Sequence, residues 1–128
     1  MENLSITELR QKLLNKEISS KEIVQHYLDR ISRYDNELNA YITVDAENAL
    51  KKAEEFDNST DKEKKLGGIP VAVKDIFSTE QMPTTAASHI LDGYTSVYES
   101  TVTKRLLDEE AIILGKTNLD QFCHGSST

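Results

Sequence analysis

The sequence predicts a protein of the α/β class, in which N-terminal helices precede the start of a mixed, mostly parallel β-sheet covered by helices. Three observations lead to this prediction. Two helix starts with capping residues lie near the N-terminus, at Ser5 and Ser19. Two apolar runs, 69–76 and 111–114, have the length and composition of buried strands. Because a helical pattern lies between these runs, the order strand, helix, strand indicates parallel pairing.

The composition is that of one soluble globular domain. The chain has 128 residues, and 38% of them are hydrophobic, which is enough for a core beneath a polar surface. No apolar run approaches the ~18 residues of a membrane span, and no signal peptide is visible. The single cysteine excludes an internal disulfide, and the scattered histidines lack metal-ligand spacing. The net charge of −7, without a basic patch, argues against direct nucleic-acid binding. We therefore expect a cytoplasmic protein without membrane contact.

The first two helices have well-marked starts. Ser5–Glu8 forms one capping box and Ser19–Glu22 forms another, each flanked by apolar residues. The first helix is predicted to run to about Asn15, and the second carries an apolar stripe at helical spacing, typical of a core-facing side. His26 lies off this stripe, so we expect it at the surface. The residues expected to face the core are Ile6, Leu9, Leu13 and Leu14 in the first helix and Ile23, Val24, Tyr27, Leu28, Ile31 and Tyr34 in the second.

A strand and a third helix follow. Residues 39–44 are strand-forming and come after Asp35-Asn36, where the second helix is expected to end. Asp45 can cap the third helix, whose alanines allow close packing. Residues 57–65 are polar and charged without periodicity, which predicts an exposed loop. The inner face of the third helix consists of Ala46, Ala49, Leu50, Ala53 and Phe56.

The stretch 66–76 enters through two glycines and carries one lysine, Lys74, near its end. With period-2 geometry both faces are apolar, which indicates a strand covered on both sides. Lys74 lies at the carboxyl end, where open α/β sheets bind ligands. Two interpretations remain open: an ordinary lysine that reaches solvent beside Asp75, or a lysine held out of water, whose neutral amine can act as a general base. One face carries Ile69, Val71 and Val73, and the other carries Pro70, Ala72 and Ile76.

The next stretch, residues 77–88, is rich in hydroxyl groups. Pro83 prevents a continuous helix, and a short helix is expected to end at Gly93. Loops in this position often form sites, but we interpret each of these hydroxyls as ordinary turn and cap chemistry. Ser100 then begins a helix that ends in the acidic cluster 108–110 and leads into the second apolar run. Its inner residues are expected to include Val102, Leu106 and Leu107.

Gly115-Lys116-Thr117 resembles part of a phosphate-binding loop. That motif needs a glycine five positions before Gly115, and the chain has Glu110 there, so the phosphate-loop interpretation fails. We therefore interpret Lys116 as an ordinary strand-end lysine.

The segment 118–124 contains two further patterns. Asn118 and Gln121 are suited to capping a short helix, whose apolar residues would be Leu119 and Phe122. The adjacent pair Cys123-His124 combines a nucleophile with a base. Neighbouring residues in a chain rarely point at each other, so no catalytic pair is expected there.

Three blocks of the sequence together resemble the amidase signature family, and the likeness is strong from Leu66 onward. The blocks are Gly67–Asp75, Ser96–Val102, and Leu114–Phe122 with Gly125–Thr128. Their order and spacing carry the resemblance. Within the family, the Asn-Leu-Asp-Gln-Phe and Gly-Ser-Ser-Thr pieces are most similar to the A subunits of glutamyl-tRNA(Gln) amidotransferases. Leu119 and Cys123-His124 differ from the Met and Ala-Met expected in those subunits.

The resemblance implies a Ser–Ser–Lys triad. In the family, a serine attacks an amide carbonyl, and a second serine, preceded by a cis peptide bond, relays the proton to the lysine. By its match to the motif, Lys74 is this lysine. The family carries both serines and the glutamine-binding residues downstream of Thr128, and Ser126 and Ser127 precede that stretch. We therefore expect the 128 residues alone to have no amidase activity.

The resemblance also implies a wider setting. Residues 1–128 would be the N-terminal part of a single amidase-type α/β domain, with a helical region at 1–60 and the start of the catalytic core at 66–128. The A subunit would release ammonia from glutamine, and a B subunit would use ATP and Mg²⁺ to activate Glu-tRNA(Gln). A C subunit would join A and B. This chain would bind no cofactor or metal itself, and would meet tRNA only through the complex.

Two alternatives remain open. The chain is part of another amidase acting on small amides, which glutamine specificity and dependence on a B-type partner would distinguish. Or it is a short binding module on the same scaffold, in which Lys74 is a relic and the exposed sheet edges need a partner chain. A stable monomer with cooperative unfolding would support the binding module.

Overall fold

The computed structural model describes residue 1 and residues 3–126; Glu2, Ser127 and Thr128, and with them the end of the Gly-Ser-Ser-Thr piece, lie outside the described residues. The α/β class predicted from the sequence is confirmed. Two short 3₁₀ helices, His89–Leu91 and Gln121–Cys123, accompany the longer elements. These are α1 (Ile6–Leu14), α2 (Ser20–Leu38), β1 (Tyr41–Val44), α3 (Ala46–Asn58), β2 (Pro70–Lys74), α4 (Thr101–Asp108) and β3 (Ile112–Thr117).

The described strands form a mixed sheet in the order β1-β3-β2. β2 runs parallel to β3, as the alternation of strand and helix predicted, and β1 runs antiparallel to β3. β3 continues to Thr117, three residues beyond the apolar run from which it was predicted. In the ladder, Val73 pairs with Lys116 and Lys74 pairs with Thr117, so the ends of β2 and β3 lie side by side. β1 belongs to the region 1–60 and β3 to the region 66–128, and the two regions therefore share one sheet.

Gly115 is required where β1 meets β3. The register of β1 shifts between Tyr41 and Thr43, and a Cβ atom added to Gly115 would lie 2.1 Å from the carbonyl oxygen of Thr43. Backbone cannot accommodate that distance unless β1 moves. Close packing of β1 against β3 therefore explains why position 115, which resembles part of a phosphate-binding loop, is a glycine.

Both predicted capping boxes are formed. The Ser5 and Ser19 hydroxyls accept the backbone N–H groups of Glu8 and Glu22 at 3.3 and 3.1 Å. In return, the two glutamates accept the backbone N–H groups of the capping serines at 2.7 and 2.8 Å. Local sequence therefore determines where α1 and α2 begin.

Asp57 lies in the last turn of α3 rather than in the exposed loop expected at 57–65. Its carboxylate accepts the backbone N–H groups of Ser20 and Lys21 at 2.8 and 3.0 Å. These amides belong to the first turn of α2, where helix N–H groups have no partner within the helix. The end of α3 is thereby tied to the start of α2.

Helices α1, α2 and α3 pack around one face of the sheet, and α2 runs to Leu38, three residues past Asp35. The inner faces predicted for these helices supply most of the core. One cluster contains Val24, Leu28, Ala49, Ala53, Ile112 and Leu114. A second contains Leu9, Leu13, Ile23, Phe56 and Ile69.

Some predicted core positions are wrong. Ile6 and Leu14 are 50% and 49% exposed, because the short helix α1 contacts the core only through the Leu9–Leu13 stripe between them. Tyr34 and Val102 are 41% and 46% exposed. In α4 the buried residue is Thr103, whose hydroxyl reaches the carbonyl of Ser78, and Val102 is turned away from this contact. His26, expected at the surface, is half-buried.

The other face of the sheet is open in the described chain. Ala72 and Lys74 of β2 and Ile42 and Val44 of β1 are exposed. The prediction that both faces of the stretch 66–76 are covered is therefore wrong for the described residues. β2 is an edge strand, and the core lies only against the face that carries Val73.

Candidate active site

Lys74 is the last residue of β2, at the carboxyl end predicted from the sequence. Its carbonyl accepts the N–H of Phe77 at 3.1 Å, and the N–H of Asp75 donates to the carbonyl of Thr117 at 3.0 Å. The side chain is exposed on the open face of the sheet. The fold therefore fixes the backbone around Lys74 and leaves its side chain accessible from that face.

The next residue, Asp75, points to the opposite, covered face and is fully buried. Its Oδ1 lies 2.8 Å from Nζ of Lys116, which is also fully buried. Successive side chains of a strand point to opposite faces, so Lys74 and Asp75 diverge from neighbouring positions. The two lysines at this end of the sheet thus lie on different faces, one in solvent and one in the interior.

Lys116 Nζ is surrounded by oxygen atoms of residues 77–88. It donates to Oγ1 of Thr84 at 3.0 Å, to the carbonyl of Pro83 at 3.2 Å and to Oγ1 of Thr79 at 3.3 Å. These three bonds use the three protons of an ammonium group, and Asp75 supplies the compensating charge. The Lys116 nitrogen is therefore fully buried, and all of its hydrogen-bonding capacity is used.

Asp75 is held equally firmly. Its Oδ2 accepts the N–H of Thr85 at 3.0 Å and the hydroxyl of Thr85 at 2.6 Å. Its backbone carbonyl accepts the N–H of Ala86 at 3.0 Å. The hydroxyl-rich stretch 77–88 therefore folds back beneath the end of β2, where it accepts hydrogen bonds from Lys116 and donates hydrogen bonds to Asp75.

The interpretation of Lys116 as an ordinary strand-end lysine is wrong. The apolar run ends at Leu114, and the strand was expected to end with it, but β3 continues and places Lys116 on the same face as Ile112 and Leu114. Extending the period-2 pattern by two residues would have found this. The turn-chemistry interpretation of the hydroxyls was also incomplete, because their shared partner is 30 or more residues away in sequence.

The other residues singled out from the sequence do not converge on Lys74. Cys123, His124 and Ser126 are exposed, and Ser127 lies outside the described residues. The segment before them differs from the prediction: Asn118 does not cap a helix but donates to the carbonyl of Asn39 at 3.2 Å. Asp120 occupies the cap position instead. Leu119 is buried as expected, whereas Phe122 is 38% exposed.

In residue 1 and residues 3–126, no cluster of three or more His, Cys, Asp or Glu side chains is placed to hold a metal ion. No helix of this part of the chain combines the length and apolar character needed to cross a membrane. Near Lys74 on the sheet, burial and, to a lesser degree, the Asp35 carboxylate raise the pKa of Tyr41.

Comparison with known proteins shows which family the chain belongs to. The family described as Amidase matches residues 22–128. The chain belongs to the amidase family. The resemblance carried by the blocks around Lys74 and Lys116 is thereby confirmed, as is the likeness to the A subunits of glutamyl-tRNA(Gln) amidotransferases.

Individual amidase relatives extend the match over nearly the whole chain. The A subunit of the glutamyl-tRNA(Gln) amidotransferase of Clostridium botulinum (strain Hall) is 48% identical over 98% of this chain and 26% of that protein. The peptide amidase of Stenotrophomonas maltophilia superposes with a TM-score of 0.88 at 32% identity, covering 94% of this chain and 26% of that one. The corresponding amidotransferase A subunit of Thermotoga maritima superposes with a TM-score of 0.76 at 39% identity, covering 97% and 25%. The chain thus spans about a quarter of the length of these amidases.

Proposed function

We propose that the chain is the N-terminal part of the glutaminase subunit of a glutamyl-tRNA(Gln) amidotransferase. The observation that carries this proposal is the 48% identity to the C. botulinum amidotransferase, which extends over 98% of the chain. The aligned region is not confined to the three motif blocks and extends over the N-terminal helices.

In this proposal Lys74 is the base at the end of a Ser–Ser–Lys relay. A serine oxygen attacks the side-chain carbonyl of glutamine, and its proton passes through the second serine to the lysine amine. The carbon–nitrogen bond then breaks, ammonia leaves with a returned proton, and water hydrolyses the acyl-serine to glutamate. The position of Lys74 supports this role, because its side chain is accessible from the open face while its backbone is fixed.

The partners follow from the same proposal. A B subunit would bind ATP and Mg²⁺ and activate Glu-tRNA(Gln), and ammonia from the A subunit would convert it to Gln-tRNA(Gln). A C subunit would hold A and B together in the cytoplasm. The net charge of −7 supports an indirect relation to tRNA, since phosphate contacts need a basic surface.

A second candidate is an amidase that acts on small amides without partner subunits. The observation that favours it is structural: the S. maltophilia peptide amidase superposes better than the T. maritima amidotransferase, with TM-scores of 0.88 and 0.76. Sequence identity favours the amidotransferase assignment instead. Dependence of the reaction on a B-type partner separates the two.

The test begins with the intact mass of the protein purified from its native source. A mass about four times 14.4 kDa is expected, since this chain is 26% of its C. botulinum relative. The purified protein should release ammonia from glutamine, and Lys74→Ala should abolish the release. Lys104→Ala, which changes another exposed lysine, is the matched control and should leave the rate unchanged.

Three results would contradict the proposal. A Lys74→Ala protein with the control's rate would remove Lys74 from the mechanism. Hydrolysis of simple amides but not glutamine would favour the second candidate. A native mass near 14.4 kDa would favour a binding module.

The proposal also predicts the behaviour of the 128 residues alone. They are expected to hydrolyse glutamine no faster than the buffer blank.

A further inference from the structure

The Asp75–Lys116 ion pair, called the buried pair below, holds the end of β2 from the face opposite to Lys74. Both side chains are fully buried, and their charged atoms are 2.8 Å apart. Lys116 belongs to β3, and Asp75 immediately follows β2. The buried pair therefore links the two strands at the point where their parallel pairing ends.

The buried pair contributes little net stability, because its desolvation opposes the attraction between the two charges. Removing two charges from water costs free energy that their attraction only partly returns, and well-packed apolar residues often stabilise a fold as well or better. What the pair supplies is position, because an ion pair with directed hydrogen bonds permits fewer arrangements than an apolar contact. Thr79, Thr84 and Thr85 add such bonds from the stretch 77–88.

The position that is fixed is that of Lys74. Asp75 is bonded through its side chain to Lys116 and Thr85, through its N–H to Thr117 and through its carbonyl to Ala86. Because Lys74 is covalently attached to Asp75, a displacement of Asp75 moves the Cα of Lys74. Among the residues that the structure describes, only Phe77 forms a backbone hydrogen bond with Lys74 outside the sheet that could resist such a movement.

We propose that Lys116 is a positioning residue for Lys74, acting through Asp75. The proposal rests on the proposed function, in which Lys74 is the proton acceptor. Lys116 touches no reacting atom. Its role is to keep the backbone of residues 74–75 in the one place from which the Lys74 amine reaches the serine relay.

The first measurement uses the native protein purified as described above and does not depend on catalysis. Amide hydrogen exchange is compared between the wild type, Lys116→Met and the control Lys104→Met. Lys104 forms an exposed ion pair with Asp108, so its loss should change little. In Lys116→Met we expect the amides of Asp75, Phe77 and Ala86 to exchange at least about tenfold faster, while those of α2 keep their protection. Equal acceleration throughout the chain, or none at these three amides, would overturn the proposal.

The second measurement uses the native full-length protein. Lys116→Met is expected to lower kcat for glutamine hydrolysis by about tenfold to a hundredfold, the loss that follows when a reacting group is misplaced by about 1 Å. KM for glutamine should stay within about twofold, since substrate contacts are untouched. Rates are normalised to the folded fraction, so a purely structural role would leave kcat unchanged.

Lys74→Ala in the same protein distinguishes a failure of the positioning role of Lys116 from a failure of the proposed function. If Lys74→Ala is inactive and Lys116→Met has wild-type kcat, only the positioning role is overturned. If Lys74→Ala is active, the proposed function fails and the positioning role fails with it.

Should Lys116→Met not fold, the double variant Asp75→Asn with Lys116→Met removes both charges and is measured in its place. A lowered kcat at unchanged KM supports the proposal, and a wild-type kcat overturns it.

Discussion

The energetics of the buried pair can be tested by a double-mutant cycle on the native protein. Lys116→Met leaves the Asp75 carboxylate fully buried with only the two hydrogen bonds from Thr85. Asp75→Asn leaves the Lys116 ammonium buried among neutral acceptors. Removing one partner of a buried pair costs about 3–5 kcal/mol, because the other charge stays buried without compensation. Each single variant should therefore lose a large part of the roughly 5–15 kcal/mol that stabilises a domain of this size.

The double variant should behave differently. With both charges gone, no uncompensated charge remains, so it should be more stable than either single variant. Unfolding in urea, followed by far-UV circular dichroism, measures the effect. With a slope of about 1–3 kcal/mol per molar, a loss of about 3–5 kcal/mol should lower the midpoint by roughly 1–5 M. The control Lys104→Met should change the free energy of unfolding by no more than about 0.5 kcal/mol.

The result that would refute this reasoning is additivity. If the double variant loses the sum of the two single losses, the two charges do not compensate each other in the folded chain. Single losses below about 1 kcal/mol would likewise contradict the observed burial.

Three further predictions concern the scaffold. Gly115→Ala should destabilise the chain by about 1–3 kcal/mol in urea unfolding, because the new Cβ collides with the Thr43 carbonyl; a wild-type midpoint would show that β1 moves aside freely. Asp57→Ala should cost about 1 kcal/mol in the same assay through loss of the cap on α2, and Asp57→Asn should recover part of it; equal losses in the two variants would rule out capping. Backbone and then side-chain hydrogen bonds from Ser19 lower the pKa of Glu22 below 4.5, so its contribution to stability is present above that pH and is lost as pH falls through the lowered value. Glu22→Gln should therefore weaken the decline in urea midpoint between neutral and acid pH, and an identical decline would contradict the assignment.

Local patterns predicted the parts of the fold that local interactions determine. The capping boxes at Ser5 and Ser19 located the starts of α1 and α2, and the apolar runs located β2 and β3. Lys74 was placed correctly at the carboxyl end of β2, because strand direction and periodicity suffice for that. The catalytic role proposed for it rests on family resemblance, since its spacing and exposure alone do not distinguish it from an ordinary lysine.

The parts that could not be predicted depend on contacts between distant residues. Lys116 and Thr79 are 37 residues apart, and nothing near either one in sequence indicates the other. Asp57 was assigned to a solvated loop because its partners, the first amides of α2, lie 36 and 37 residues earlier. The open face of β2 was missed because an apolar strand has the same sequence pattern whether or not another element covers it.

The order of strands in the sheet has a consequence for synthesis on the ribosome. β3, the central strand, is made after both of its neighbours, and β1 is separated from it by residues 45–111. At about 5–20 residues per second, β1 waits several seconds or more for its partner. During that time the helical pair α2 and α3 can already form from local contacts, whereas the hydrogen-bonding edges of β1 and β2 stay unpaired. These two segments are therefore the ones that a nascent-chain chaperone would be expected to protect, until Ile112–Thr117 emerges and joins them.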